Sequence, residues 1–269
     1  MRSDSWAMRI WKLFYPLLIH FSVSVLFSII FTTVALALGG GNLEDTLRLA
    51  VEYNFPVTMI ADVIVLLILL YFFRKDSLRL MPVKMKITPF HWILIAVCGI
   101  SCCLAANYLI SLSGLIQLFY EQYEEVSSLL YYGNIWQELI LMAVAAPVLE
   151  EVLFRGLIFR RLRTYCTFPA AVLVSALLFG AYHGNVVQGV YGFLMGAALA
   201  FMYERFRTIW APILFHAAAN LISVIVTEVP QVSNLADSHA LAVMVIAIIA
   251  ALGTIYLIQN NCRPKEVSP

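Results

Sequence analysis

The stretch Ala146–Gly156, APVLEEVLFRG, sets two adjacent carboxylates and an arginine inside an otherwise apolar run. IWQELILMAVA precedes it and LIF follows it, with little else polar on either side. Read as one helix, the segment is long enough to cross a bilayer, which takes about 20 mostly apolar residues. A charged side chain near the middle of such a helix costs about 2.5–3.5 kcal/mol on insertion scales, so each is a functional candidate. The fold turns on whether the rest of the chain shares this apolar character.

It does. The 269 residues are 62% apolar and only 12% charged, with a mean hydropathy of +0.88. A soluble domain is typically about half apolar and a quarter charged, so this chain cannot coat itself with polar surface and belongs in a membrane. The net charge of +1 argues against nucleic-acid binding, for which a basic patch would be expected. Cys98, Cys102 and Cys103 sit in one apolar run, while Cys166 and Cys262 lie near charged segments. Five cysteines so placed do not suggest a disulfide framework, and the lack of a C-x-x-C pair argues against a zinc knuckle.

The span length predicts an all-α, polytopic helical bundle of eight helices, over 13–38, 56–73, 88–112, 135–159, 168–184, 186–203, 208–226 and 239–258. Breakers separate them: GGGN at 39–42, Pro82, Pro89, YGN at 132–134, Pro169 and EVPQVSN at 228–234. Basic residues fall in alternate loops. They are Arg2, Arg9 and Lys12; Arg74, Lys75, Arg79, Lys84 and Lys86; Arg160, Arg161 and Arg163; Arg205 and Arg207; and Arg263 with Lys265. With eight spans all of these share one side, so both termini are expected in the cytoplasm. The first apolar run is too long for a cleavable signal and reads as an uncleaved span. Residues 113–134 mix aromatics with glutamates and read as an interfacial helix. No internal repeat or second soluble domain is visible, so residues 1–269 form a single membrane domain.

Ionisable residues within the spans then need sorting. His20 and Asp62 have no polar neighbour at helical spacing and read as structural; Glu138, His91 and Glu204 lie near predicted interfaces. Three clusters remain. On a helix, residues four apart share a face, so Glu151 and Arg155 offset each other's burial. Glu150 points elsewhere, has no cation at i+4, and is the carboxylate left to act as a general acid or base. Pro147 removes a backbone N–H and leaves a carbonyl unpaired, which lets polar groups or water approach. The second cluster is LLFGAYHGN, with Phe179 and His183 four apart. The third is APILFHAAANL, where His216 and Asn220 share a face and Ala217, Ala218 and Ala219 permit close helix packing. At 1.5 Å per residue, Glu150 lies about 15 Å above the basic end of its span, His216 and Asn220 roughly 12 and 18 Å, and His183 about 22 Å. These depths are compatible with one site near mid-bilayer.

The blocks EEVLFR, FGAYH and HAAAN resemble, in this order, the motifs of the CPBP family of intramembrane proteases. That family includes the CAAX prenyl endopeptidases and bacterial bacteriocin-processing or self-immunity (Abi-type) proteins. Its pattern, E-E-x-x-x-R, F-x-x-x-H and H-x-x-x-N, falls here on Glu150, Glu151 and Arg155, on Phe179 and His183, and on His216 and Asn220. The resemblance covers about residues 135–226 and implies peptide-bond hydrolysis in or at the edge of the membrane. It assigns Glu150 and His183 to water activation, and His216 and Asn220 to the oxyanion. Glu151 and Arg155 would hold the helix geometry, with Phe179 supporting.

Two readings of the chemistry stay open. Glu150, His183 and His216 make a conceivable three-ligand zinc site, with Glu151 then the base. The chain lacks an H-E-x-x-H helix, which favours a metal-free glutamate mechanism. The rival functions are a proton-coupled transporter, whose usual repeats are missing, and a non-catalytic membrane partner protein. The expected partners are membrane lipid and a peptide or membrane-protein substrate, in a bacterial plasma membrane. Prenylated peptides, bacteriocin leaders and signalling peptides all fit as substrates.

Overall fold

The computed structural model describes residues 5–77, 87–130 and 134–262. Among them every regular element is helical: α1 (Trp6–Leu38), α2 (Leu43–Glu52), α3 (Asn54–Ser77), α4 (Pro89–Leu112), α5 (Leu115–Leu118), α6 (Tyr120–Leu130), α7 (Ile135–Ile140), α8 (Ala146–Glu151), α9 (Arg160–Tyr165), α10 (Phe168–Tyr182), α11 (Val186–Phe206), α12 (Trp210–Glu228), α13 (Pro230–Ser238) and α14 (Ala240–Asn261). The all-α polytopic expectation is borne out. Helices α1, α3, α4, α11, α12 and α14 are each long and apolar enough to cross a membrane. Helix α10, at the fifth expected span, has 15 residues. The fourth expected span is one helical run, α7 to α9, interrupted by π-helical stretches at Leu141–Ala145 and Val152–Phe159. The expected interfacial segment forms the short α5 and α6.

The breakers act as their chemistry dictates. Gly40 and Gly41 take positive φ after α1, and Asn42 accepts from the Glu44 N–H to cap α2. Pro89 opens α4 and Pro230 opens α13, where a missing N–H is harmless. Pro82, Tyr132, Gly133, and the basic residues Arg2, Arg79, Lys84, Lys86, Arg263 and Lys265 lie outside the described residues.

The run α7–α9 is the axis of the molecule. Every residue from Glu151 to Leu162 is buried; a helix apolar all round needs neighbours on every side. Helices α1 and α3 flank it, α10 and α11 pack against each other and against it, and α12 crosses its first half. Behind α12 lies α4, which in turn packs on α14. The α4–α12 approach is close: a Cβ on Gly99 would stand 2.2 Å from the Phe215 carbonyl oxygen.

Arginines fasten the basic end. Arg161 donates to Asp76 of α3 at 2.7 Å, to the Tyr15 hydroxyl of α1 at 2.6 Å, and to the Lys12 carbonyl. Arg160 donates to the Phe73 carbonyl of α3, and Arg163 reaches Glu204 of α11 through two hydrogen bonds. The start of α1 and the ends of α3, α9 and α11 therefore meet at one end of the bundle, as the charge alternation in the sequence requires.

Candidate active site

The site grows out of the irregular helix. In π-helical pairing a carbonyl meets the N–H five residues on, and the Ala146 N–H bonds the Leu141 carbonyl in this way. For Met142 the fifth residue is Pro147, which has no N–H. The Met142 carbonyl instead accepts from the side-chain amide of Asn220 on α12, at 2.7 Å. The unpaired carbonyl expected from Pro147 thus has an identity, and a polar group from another helix meets it. An amide nitrogen carries two hydrogens, so one N–H of Asn220 is left over.

One turn later come the carboxylates. The Glu151–Arg155 pair expected from spacing is present, with Arg155 Nη1 donating to Glu151 Oε1 at 2.9 Å and both side chains fully buried. It persists although the backbone from Val152 is π-helical rather than α-helical, a local departure from the regular geometry expected. Arg155 also donates to the Gly196 carbonyl of α11 at 3.0 Å, and its guanidinium lies 4.5 Å from the centre of the Phe179 ring. Phe179 is therefore the aromatic lid over the ion pair.

Glu151 does more than neutralise Arg155. The same Oε1 lies 2.9 Å from His216 Nδ1. A carboxylate bonded to an arginine can only accept, so His216 donates through Nδ1 and presents Nε2 on its other edge. That Nε2 is 3.9 Å from Glu150 Oε2. Glu150 makes no hydrogen bond among the described residues, and it keeps a small exposed fraction while Glu151 has none. The two neighbours divide as expected: one locked into an ion pair, one left facing the polar cluster.

His183 ends α10, followed by Gly184 at φ +76, a left-handed residue that turns the chain into α11. Its Nδ1 is 2.8 Å from the Phe179 carbonyl. A carbonyl only accepts, so the hydrogen sits on Nδ1 and Nε2 is a bare lone pair in the neutral ring. Phe179 packs edge-on against His183 at 5.0 Å and against His216 at 5.9 Å, so one ring separates and orients both imidazoles.

The structure adds residues that looked isolated in sequence. His20 of α1 is 3.1 Å, through Nε2, from the hydroxyl of Tyr182, whose ring packs on His183 at 5.6 Å. Asp62 of α3 lies near enough to Glu150 for their charges to act on each other, and the Tyr182 hydroxyl feels both. These four residues, His20, Tyr182, Asp62 and Glu150, come from four different helices, and only tertiary packing reveals their pairing. Glu138, expected near an interface, is buried in α7.

Among the described residues no three His, Cys, Asp or Glu side chains converge closely enough to hold an ion. His216 Nδ1 and His183 Nδ1 are both held by protein acceptors, which leaves Nε2 as the open edge of each ring. The expected trio Glu150, His183 and His216 is not gathered into a ligand set among the described residues.

Residues 132–222 match the family model described as type II CAAX prenyl endopeptidase Rce1-like. The chain is also 31% identical over 102 residues to a Bacillus subtilis (strain 168) protein named "Putative membrane peptidase YdiL". That match covers 38% of this chain and 41% of the relative, so the chain spans about two-fifths of the curated relative it matches. No solved structure matches it.

Proposed function

We propose that this chain, which through residues 132–222 belongs to the CPBP family of intramembrane proteases, hydrolyses a peptide bond of a membrane-associated or lipidated substrate. The observation that carries the reading is the division of labour between the paired glutamates. Glu151 Oε1 holds both Arg155 and His216, while Glu150 stands beside His216 Nε2 with no hydrogen bond of its own.

Glu150 takes a proton from a water molecule as its oxygen attacks the scissile carbonyl carbon. His183, with Nδ1–H fixed on Phe179, offers Nε2 as an acceptor that holds the water in line. The carbonyl π electrons pass to oxygen. His216 answers that negative charge when it carries a second proton on Nε2, and the Glu151 carboxylate stabilises the resulting imidazolium. This is the carboxylate–histidine logic of hydrolases with other nucleophiles. The spare N–H of Asn220 is the second oxyanion donor. When the intermediate collapses, the C–N bond breaks and the leaving amine takes the proton from Glu150. Arg155 and Phe179 hold Glu151 in place.

The two ends of the chain and all the basic loops are assigned to the cytoplasmic face of a bacterial plasma membrane, by the positive-inside bias. Substrates enter from the bilayer or its surface, and the family resemblance makes lipidated C-terminal peptides one class among several.

The test is direct. Purified protein in detergent is mixed with lipidated and unlipidated peptides in ¹⁸O-water, and the products are weighed by mass spectrometry. One ¹⁸O in the new carboxylate, also in excess chelator, is the expected result. Solute flux into vesicles without any cleavage would instead support a transporter.

A further inference from the structure

A groove of about 350 Å³ runs along the lipid-facing side of the α10–α11 pair, away from the carboxylates. Its walls are two stripes at helical spacing: Phe168, Val172 and Ala176 on α10, and Phe193, Ala197 and Phe201 on α11. Each stripe runs over nine residues, eight rises and so roughly 12 Å of helix. The hydrocarbon of one leaflet is about half of a core roughly 30 Å thick, so the groove has the length of a single acyl tail. Leu173, Leu177 and Leu194 beside it are exposed, as residues against lipid should be.

One end of the groove is charged. The Arg163 guanidinium lies 5.7 Å from the Phe168 ring centre, and that of Arg205 lies 5.2 Å from the Phe201 ring. These rings are the two outermost lining residues. At this corner Arg163 and Arg207 both pair with one carboxylate, Glu204, and Arg205 stacks on Phe201. Arg205 has no ion-pair partner among the described residues. An apolar slot one leaflet deep, ending at an unpaired arginine, is complementary to an anionic amphiphile. A neutral lipid or a peptide side chain would leave that charge unanswered.

We propose that this groove is a binding site for an anionic phospholipid, one acyl tail lying between α10 and α11 and the headgroup phosphate on Arg205. Basic pockets at the cytoplasmic ends of membrane helices recognise lipid headgroups in this manner, and a guanidinium matches phosphate in a two-pronged hydrogen bond. The lipid would brace the helix pair that carries His183 and the Gly196 carbonyl, since Gly196 packs against Ala176 on the inner wall. Binding does not depend on the chain being a protease.

The test is native mass spectrometry of detergent-purified protein titrated with phosphatidylglycerol or with phosphatidylcholine of identical tails. The expected result is retained phosphatidylglycerol, bound about tenfold more tightly than phosphatidylcholine, with a raised thermal midpoint. Arg205→Ala, a change on the partly exposed rim, should erase that preference while leaving the lipid-free midpoint unchanged. Ala197→Phe, which fills the slot, should remove retention of both lipids. Equal retention of the two lipids by the wild type would overturn the proposal, as would no retention at all. Phosphatidylglycerol bound equally by wild type and Arg205→Ala would overturn it too, whether or not Ala197→Phe folds.

Discussion

A single carboxylate oxygen, Glu151 Oε1, receives both Arg155 and His216, so removing its cation and removing its own charge fail differently. Arg155→Ala leaves a buried carboxylate without its cation, at a cost of about 3–5 kcal/mol. It also loses the bond to Gly196 and the contact with Phe179. A large drop in the unfolding midpoint together with lost cleavage is expected, and a variant as stable as the wild type would refute this role. Glu151→Gln should fold better than Arg155→Ala, because an amide oxygen still accepts from Arg155. It should cleave on the order of 10²-fold more slowly or worse, since a neutral amide no longer stabilises the His216 imidazolium. Wild-type turnover by this variant would dismiss the dyad. The Glu151–Arg155 pair was legible because both partners lie on one helix four residues apart. The bond to His216 spans 65 residues and depends on how α12 rotates, which no local spacing encodes. His20 and Asp62 were opaque for the same reason: their partners sit on other helices.

At the scale of elements, the π-helical stretches and the α4–α12 contact decide where the site's atoms lie. Pro147 announced a spare carbonyl in the sequence; the tightening partner, Asn220, was legible only as half of an i,i+4 motif. Asn220→Ala should orphan the Met142 carbonyl, at about 1–3 kcal/mol, and slow cleavage. Asn220→Asp should not rescue it, because an ionised carboxylate has no hydrogen to donate. A fully active Asp variant, measured in the same peptide assay, would remove Asn220 from the account. Gly99→Ala carries the prediction for helix packing. Its methyl would fall 2.2 Å from the Phe215 carbonyl oxygen, one residue from His216. Backbone must shift to admit it, costing about 1–3 kcal/mol or more, and displacing His216 from Glu151. A normal thermal midpoint and normal cleavage in Gly99→Ala would show that α4 and α12 do not approach this closely.

The whole molecule is a bundle wrapped around one buried, charged helix, clasped at its basic end by Arg160, Arg161 and Arg163. Composition alone made the membrane class legible, and alternating basic loops made the pairing of helix ends legible. The packing order was not, since lipid-facing and protein-facing apolar faces look alike in sequence. The same alternation predicts that tags on the two ends of this chain are both cleaved by protease in inverted vesicles and both protected in right-side-out ones; opposite protection would mean an odd number of spans. The central claim, however, rests on Glu150 as the group that activates water. Its most direct measurement is single-turnover cleavage of a substrate peptide by Glu150→Gln, with the thermal midpoint recorded alongside. The account predicts an unchanged midpoint and a rate lower by about 10²–10⁴-fold; cleavage at the wild-type rate by the folded variant would contradict it.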